Sequence, residues 1–170
     1  MNGKITFFVT FIALLMFQSC ASPAYTVEME AGGTKILKGY FERKDLERDT
    51  LLTWFKANYD LYVPDSASIK ELKPLTDGLH FLIVLGTWCG DSKHHVPKIY
   101  KIFDALGVSN KDVKLFGVDR SKNSADGTTE KFNVHRVPTL IVFHGDAELG
   151  RIVENPRETF EYDLLKILKK

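Results

Sequence analysis

Leu82-Ile83-Val84-Leu85-Gly86-Thr87-Trp88-Cys89-Gly90-Asp91-Ser92-Lys93-His94-His95-Val96-Pro97 is the stretch on which the reading of this chain turns. An apolar run ends at a cysteine, and an amphipathic pattern begins directly after it. That junction predicts a buried strand delivering Cys89 to the first turn of a helix. A helix N-terminus carries unpaired N–H groups and a partial positive charge, so it favours a thiolate over a thiol. The stretch therefore points to thiol chemistry, with one cysteine where a redox pair has two.

The elements on either side follow from periodicity. His80 to Gly86 is apolar on both faces, as in the middle of a sheet. Asp91 to Leu106 places Val96, Ile99, Tyr100, Phe103 and Leu106 at helical spacing, with Pro97 inside the helix. Upstream, Ala21 to Ala31 reads as a polar tether and Thr34 to Phe41 as a short strand. Asp45 to Asn58 reads as one helix, with Leu51, Leu52, Trp54, Phe55 and Tyr59 on its apolar face. Tyr62 to Gly78 reads as a connection holding one amphipathic turn at Ile69, Leu72 and Leu75. Downstream, Asp112 to Val118 and Val137 to Phe143 read as strands, with Thr128 to Phe132 as a short helix between them. A turn at His144-Gly145-Asp146 then returns Glu148 to Val153 as an antiparallel strand. Phe160, Leu164, Leu165 and Leu168 give the final segment an amphipathic face. This order predicts an α/β fold with a central mixed sheet flanked by helices on both faces.

Composition sets bounds on function. The chain has 170 residues and a formal net charge of +1, from 23 basic and 22 acidic side chains. That balance gives no reason to expect a nucleic-acid partner. Lys4 followed by the apolar run Ile5 to Phe17 fits a secretory signal, and is too short to span a bilayer comfortably. Residues 1–20 are thus expected to be a signal peptide. Ser19-Cys20 resembles the end of a lipoprotein signal, with Cys20 the lipidated residue and membrane attachment through it. Cleavage after Ala21, giving a soluble secreted chain, is the other reading. Either way the mature chain is expected to be exported. Cys20 is acylated or removed, so Cys89 is expected to be the sole free thiol, and no intramolecular disulfide can form. His94 and His95, one turn into the helix, read as surface residues in preference to catalytic bases; as neighbours on a helix they point about 100° apart, which argues against a metal site. No metal and no cofactor are expected.

Trp88-Cys89-Gly90-Asp91-Ser92-Lys93, with Pro97 in the helix and Val137-Pro138-Thr139 downstream, resembles the thioredoxin superfamily. The family pattern is W-C-G-P-C-K, a helix proline five residues past the second cysteine, and a cis-proline loop facing the thiol. Within the superfamily the chain is similar to exported thioredoxin-like lipoproteins of Bacteroidetes-type bacteria. The resemblance covers about 45–170 and implies a thioredoxin-like domain there, with 21–44 as tether and extension. It implies catalytic roles for Cys89 and Ser92. It also implies a substrate-binding surface made by Trp88, Gly90, Asp91, Val137 and Pro138, in which the backbone of Val137 pairs with an extended substrate.

Four departures from the pattern alter the expected chemistry. Ser92 replaces the resolving cysteine and is expected to donate a hydrogen bond to the Cys89 thiolate. Asp91 replaces proline, and its charge opposes the helix field. Ile83 stands where thioredoxins place a buried aspartate. Glu154-Asn155 occupies a stretch where the family has a glycine beside the groove, which predicts a narrower or more acidic groove. The leading reading is a monothiol protein of the cell envelope that forms mixed disulfides with cysteine-containing proteins or small thiols. It depends on an external thiol reductant for release. The alternatives are a non-catalytic module binding extended peptides, and a lipid-anchored scaffold that keeps the fold for stability alone.

Overall fold

The apolar run forms β3 (Leu79–Leu85), an inner strand of a six-stranded sheet ordered β1-β2-β4-β3-β5-β6. A computed structural model describes residues 25–170; the segment 1–20 expected to be a signal peptide, with Cys20, lies outside the described residues. The other strands are β1 (Tyr25–Met29), β2 (Lys35–Phe41), β4 (Val113–Gly117), β5 (Thr139–His144) and β6 (Ala147–Val153). β3 runs parallel to β4 and antiparallel to β5, so the sheet is mixed.

The two-residue period of β3 separates two cores. Leu79, Phe81, Ile83 and Leu85 face the larger one, together with apolar side chains of α1 (Arg43–Glu47), α2 (Trp54–Leu61), α3 (Ser66–Leu72), α4 (Gly90–Leu106) and α6 (Phe160–Leu168). Leu82 and Val84 face the smaller one, with Phe116, Val118, Val134, Val137, Ile141 and Phe143. The short α5 (Thr128–Lys131) lies in the segment that covers this second face. Helices therefore flank both faces, as expected, but very unequally. The predicted stripe of α4 is buried throughout. The helix stops at Gly107, whose φ of +80° lets the Val108 N–H reach the Phe103 carbonyl at 2.9 Å.

Three expectations need correction. The segment read as a tether contains β1, paired antiparallel with β2 from Tyr25↔Gly39 to Met29↔Lys35. Its polar look reflects an edge strand whose residues are mostly exposed. β2 in turn pairs with β4 and sends Leu37 and Phe41 into the main core, so the sheet begins well before 45. The single helix expected over Asp45–Asn58 is two, α1 and α2. The Asp49 carboxylate accepts the Leu51 N–H at 2.9 Å and pairs with Lys35, which fixes a turn between the helices and leaves Leu51 exposed. The connection before β3 holds a full helix, α3, capped by the Asp65 carboxylate on the Ser68 N–H at 2.8 Å, and then a 3-10 turn at Lys73–Leu75.

Candidate functional site

The site forms where β3 ends and α4 begins. Gly86 leaves β3 under the Trp88 indole, and a Cβ there would lie 2.6 Å from the ring. Thr87 carries no sequence signal, because a lone threonine forms no pattern. It is buried, donates to the Lys35 carbonyl at 2.7 Å and accepts from the Leu37 N–H at 3.2 Å, which pins the loop to β2. The Trp88 indole N–H donates to the Val118 carbonyl at 2.9 Å, so the ring is held beside the cysteine.

Cys89 is the N-cap residue of α4, in extended backbone geometry, and its carbonyl accepts the Lys93 N–H at 3.0 Å. Its side chain is half-buried and is the only cysteine thiol among the described residues. The thiol donates to the Val137 carbonyl at 3.4 Å. The Val137–Pro138 peptide bond is cis. The Thr139 hydroxyl donates to the Arg136 carbonyl at 2.7 Å, tying down the start of this loop. Gly90 and Asp91 are exposed, and open space lies where a Gly90 side chain would be.

Ser92 differs from the expectation. It is 0% exposed, and its hydroxyl oxygen accepts the Gly86 N–H at 3.2 Å. The side chain is thus engaged with the end of β3, and no hydrogen bond joins it to Cys89. Ile83 is also fully buried, among apolar neighbours of the main core. No carboxylate stands there to accept a proton.

His95 is a further correction, since it is a buried residue. It is 8% exposed, packs edge-on against Phe160, and pairs through Nε2 with the Asn155 side-chain oxygen at 2.8 Å. Its Nδ1 is buried without a partner. Burial holds its pKa below the ordinary histidine value. The Lys98 ammonium and the neighbouring His94 ring lower it further, while the Asn155 hydrogen bond and Asp91 act in the opposite sense. His94 is exposed, and its Nε2 lies 2.7 Å from the Lys98 ammonium. A histidine with a depressed native pKa favours the folded state while it is neutral. Stability is therefore expected to be complete above about pH 6.5 and to fall as pH drops below that value towards the native pKa. One proton limits the slope to about 1.4 kcal/mol per pH unit. Denaturant unfolding of wild type and His95→Leu across that window is expected to show this component in the wild type only.

Asn155 follows Glu154, the residue beside the groove. Glu154 has a φ of +58°, the left-handed region in which glycine is at ease, and its N–H donates to the Pro138 carbonyl at 2.7 Å. The backbone at this position is thus one in which a glycine would be unstrained. The Glu154 carboxylate meets the Arg136 guanidinium at 3.0 Å, which offsets the acidic character expected of this stretch. Glu154→Gly is expected to raise stability by about 1 kcal/mol, because relief of a strain of about 1–3 kcal/mol outweighs the lost surface pair and the looser unfolded chain. Chemical denaturation would measure the gain.

Among the described residues no three His, Cys, Asp or Glu side chains gather as metal ligands. A cavity of about 690 Å³ lies beside the junction of β2 and α1, lined by Tyr40, Arg43 and Lys114 among others. Cys89 does not line it.

The family model described as thioredoxin matches residues 40–165. A thioredoxin from Echinococcus granulosus is 36% identical over 67 residues, which are 39% of this chain and 57% of that protein. The chain thus spans little more than half the length of that relative. Among solved structures, a protein of unknown function from Pseudomonas aeruginosa superposes with a TM-score of 0.56 at 15% identity, covering 76% of this chain and 92% of that one. An HIV epitope-scaffold superposes with a TM-score of 0.51 at 16% identity, covering 76% and 83%. These two likenesses speak to the fold alone. A half-buried cysteine caps the helix after a central strand, opposite a cis-proline loop, and with the family match over 40–165 the chain belongs to the thioredoxin family.

Proposed function

We propose that this protein is a monothiol thioredoxin-like protein of the bacterial cell envelope, acting by thiol-disulfide exchange through mixed disulfides at Cys89. The observation that carries the reading is the pairing of a half-buried helix-capping thiol with a fully buried serine at the resolving position. The Cys89 thiolate attacks one sulfur of a disulfide. A new S–S bond forms to Cys89, the old S–S bond breaks, and the other sulfur leaves as a thiolate with the electron pair. Ser92 cannot repeat the attack, so an external thiol must release the bound half. Trp88 and the Val137–Pro138 loop are assigned to holding the partner, with Gly90 and Asp91 at the exposed rim. Export and lipid attachment through Cys20 rest on the sequence of residues 1–20. Protein cysteines and small thiols both fit as partners.

Incubation of the mature protein with a small symmetrical disulfide at neutral pH, followed by intact-mass measurement, is expected to show one adduct per chain. Cys89→Ala is expected to show none. Absence of an adduct in the wild type would overturn the reading. The apolar Ile83 position, which offers no proton acceptor, favours a second reading as a module that binds extended peptides without chemistry. Peptide affinity that survives Cys89→Ser, with no adduct in the wild type, would support it.

A further inference from the structure

The Trp88 ring is overlain by two cations from the loop after β4. The Arg120 guanidinium lies 4.9 Å and the Lys122 ammonium 5.7 Å from the ring. Both belong to a stretch whose backbone is held in place. The Asp119 carboxylate accepts from the Ser121 N–H at 2.9 Å and from the Ser121 hydroxyl at 2.6 Å, and the Lys122 N–H reaches the Asp119 carbonyl at 3.1 Å. Lys122 itself has a φ of +60°, a conformation that a side-chain-bearing residue keeps only when its surroundings enforce it.

The two cations differ in what neutralises them. Arg120 is gripped by the Glu30 carboxylate, with Nε at 2.9 Å and Nη2 at 2.8 Å, so it is aimed by the turn between β1 and β2. Among the described residues the Lys122 ammonium meets no carboxylate at salt-bridge distance; it donates only to the Arg120 carbonyl at 3.4 Å. The nearby carboxylates pair elsewhere or not at all. Glu154 is spent on Arg136, and Asp119 faces Lys38 at 3.6 Å. Asp91, exposed on the first turn of α4, forms an ion pair with neither Arg120 nor Lys122. The indole beside the thiol therefore carries an unspent positive charge on a fixed frame.

We propose that Trp88, Arg120 and Lys122 form a recognition surface for an anionic group, so that Cys89 selects disulfides bearing a carboxylate close to the reacting sulfur. This rests on the mixed-disulfide reading and adds the chemical class of the partner. The anion sits against the cations over the indole, and its sulfur is thereby presented to Cys89. The exchange is the one already described: one S–S bond forms to Cys89, one breaks, and the leaving thiolate takes the electron pair.

The test compares two disulfides by stopped flow on the mature protein. One is 5,5′-dithiobis(2-nitrobenzoate), which is anionic, and the other is 4,4′-dithiodipyridine, which is neutral at pH 7. The readout is the ratio of the two rate constants, in which changes to the thiol itself largely cancel. The ratio is expected to fall roughly three- to tenfold in the double variant Arg120→Gln, Lys122→Gln, and to fall in the wild type as salt is raised. The single variant Lys122→Gln is expected to account for most of the change. A ratio unaltered in the double variant would overturn the charge selection alone. Failure of Cys89 to react with either disulfide would overturn the mixed-disulfide reading beneath it.

Discussion

Ser92→Cys is expected to convert a chain that stops at the adduct into one that clears it unaided. Ser92 is the third residue of α4 and Cys89 its N-cap, so the two side chains leave the same first turn. A thiol there would attack the mixed disulfide as an intramolecular nucleophile at high effective concentration. The adduct's lifetime without external thiol is expected to shorten by roughly 10²-fold or more. Intact mass would end two hydrogens below the reduced chain and carry no adduct. The change costs some stability, because the serine oxygen that accepts the Gly86 N–H gives way to a weaker acceptor, a loss of about 1 kcal/mol. A variant adduct as long-lived as the wild-type one would show that Ser92 is not what halts the chemistry.

The largest effect on stability is expected at Gly117. A Cβ there would lie 2.1 Å from the Leu37 carbonyl oxygen and 2.9 Å from the Phe41 ring. The nearest obstacle is backbone and cannot rotate away, so β2 would have to part from β4 where Gly39 faces Gly117. Gly117→Ala is expected to cost about 3 kcal/mol or more, lowering Tm by on the order of 10 °C. Gly90→Ala meets nothing within 4 Å and is expected to leave stability within about 0.5 kcal/mol of wild type. Thermal unfolding of the two variants side by side tests this contrast. Equal Tm values would contradict it.

What could be read from the chain in advance was what rests on period and spacing. The alternation in β3, the stripe on α4 and the Cys89 to Pro97 spacing are local signals, and the structure places each as expected. β1 escaped because an edge strand with mostly exposed side chains has the composition of a tether. The break between α1 and α2 escaped because it depends on the Asp49 carboxylate meeting Lys35 from another element. The same limit applied within the site. Sequence named Cys89, Trp88 and Pro138, whose identities carry the pattern. It did not show Thr87 bonded to β2, His95 turned inward to Asn155, or the Ser92 hydroxyl committed to Gly86. Those are facts about partners distant in sequence, or about which side of a turn faces the core. Glu154 is the reverse case, a position whose side chain gives no hint of the left-handed backbone conformation it occupies.

The central claim is that exchange at Cys89 stops after one half-reaction. Counting the thiolate released when the mature protein meets excess 5,5′-dithiobis(2-nitrobenzoate) tests it most directly. One equivalent per chain, with the second half retained on Cys89 until an external thiol is added, is the result expected. Two equivalents per chain, or none, would contradict it.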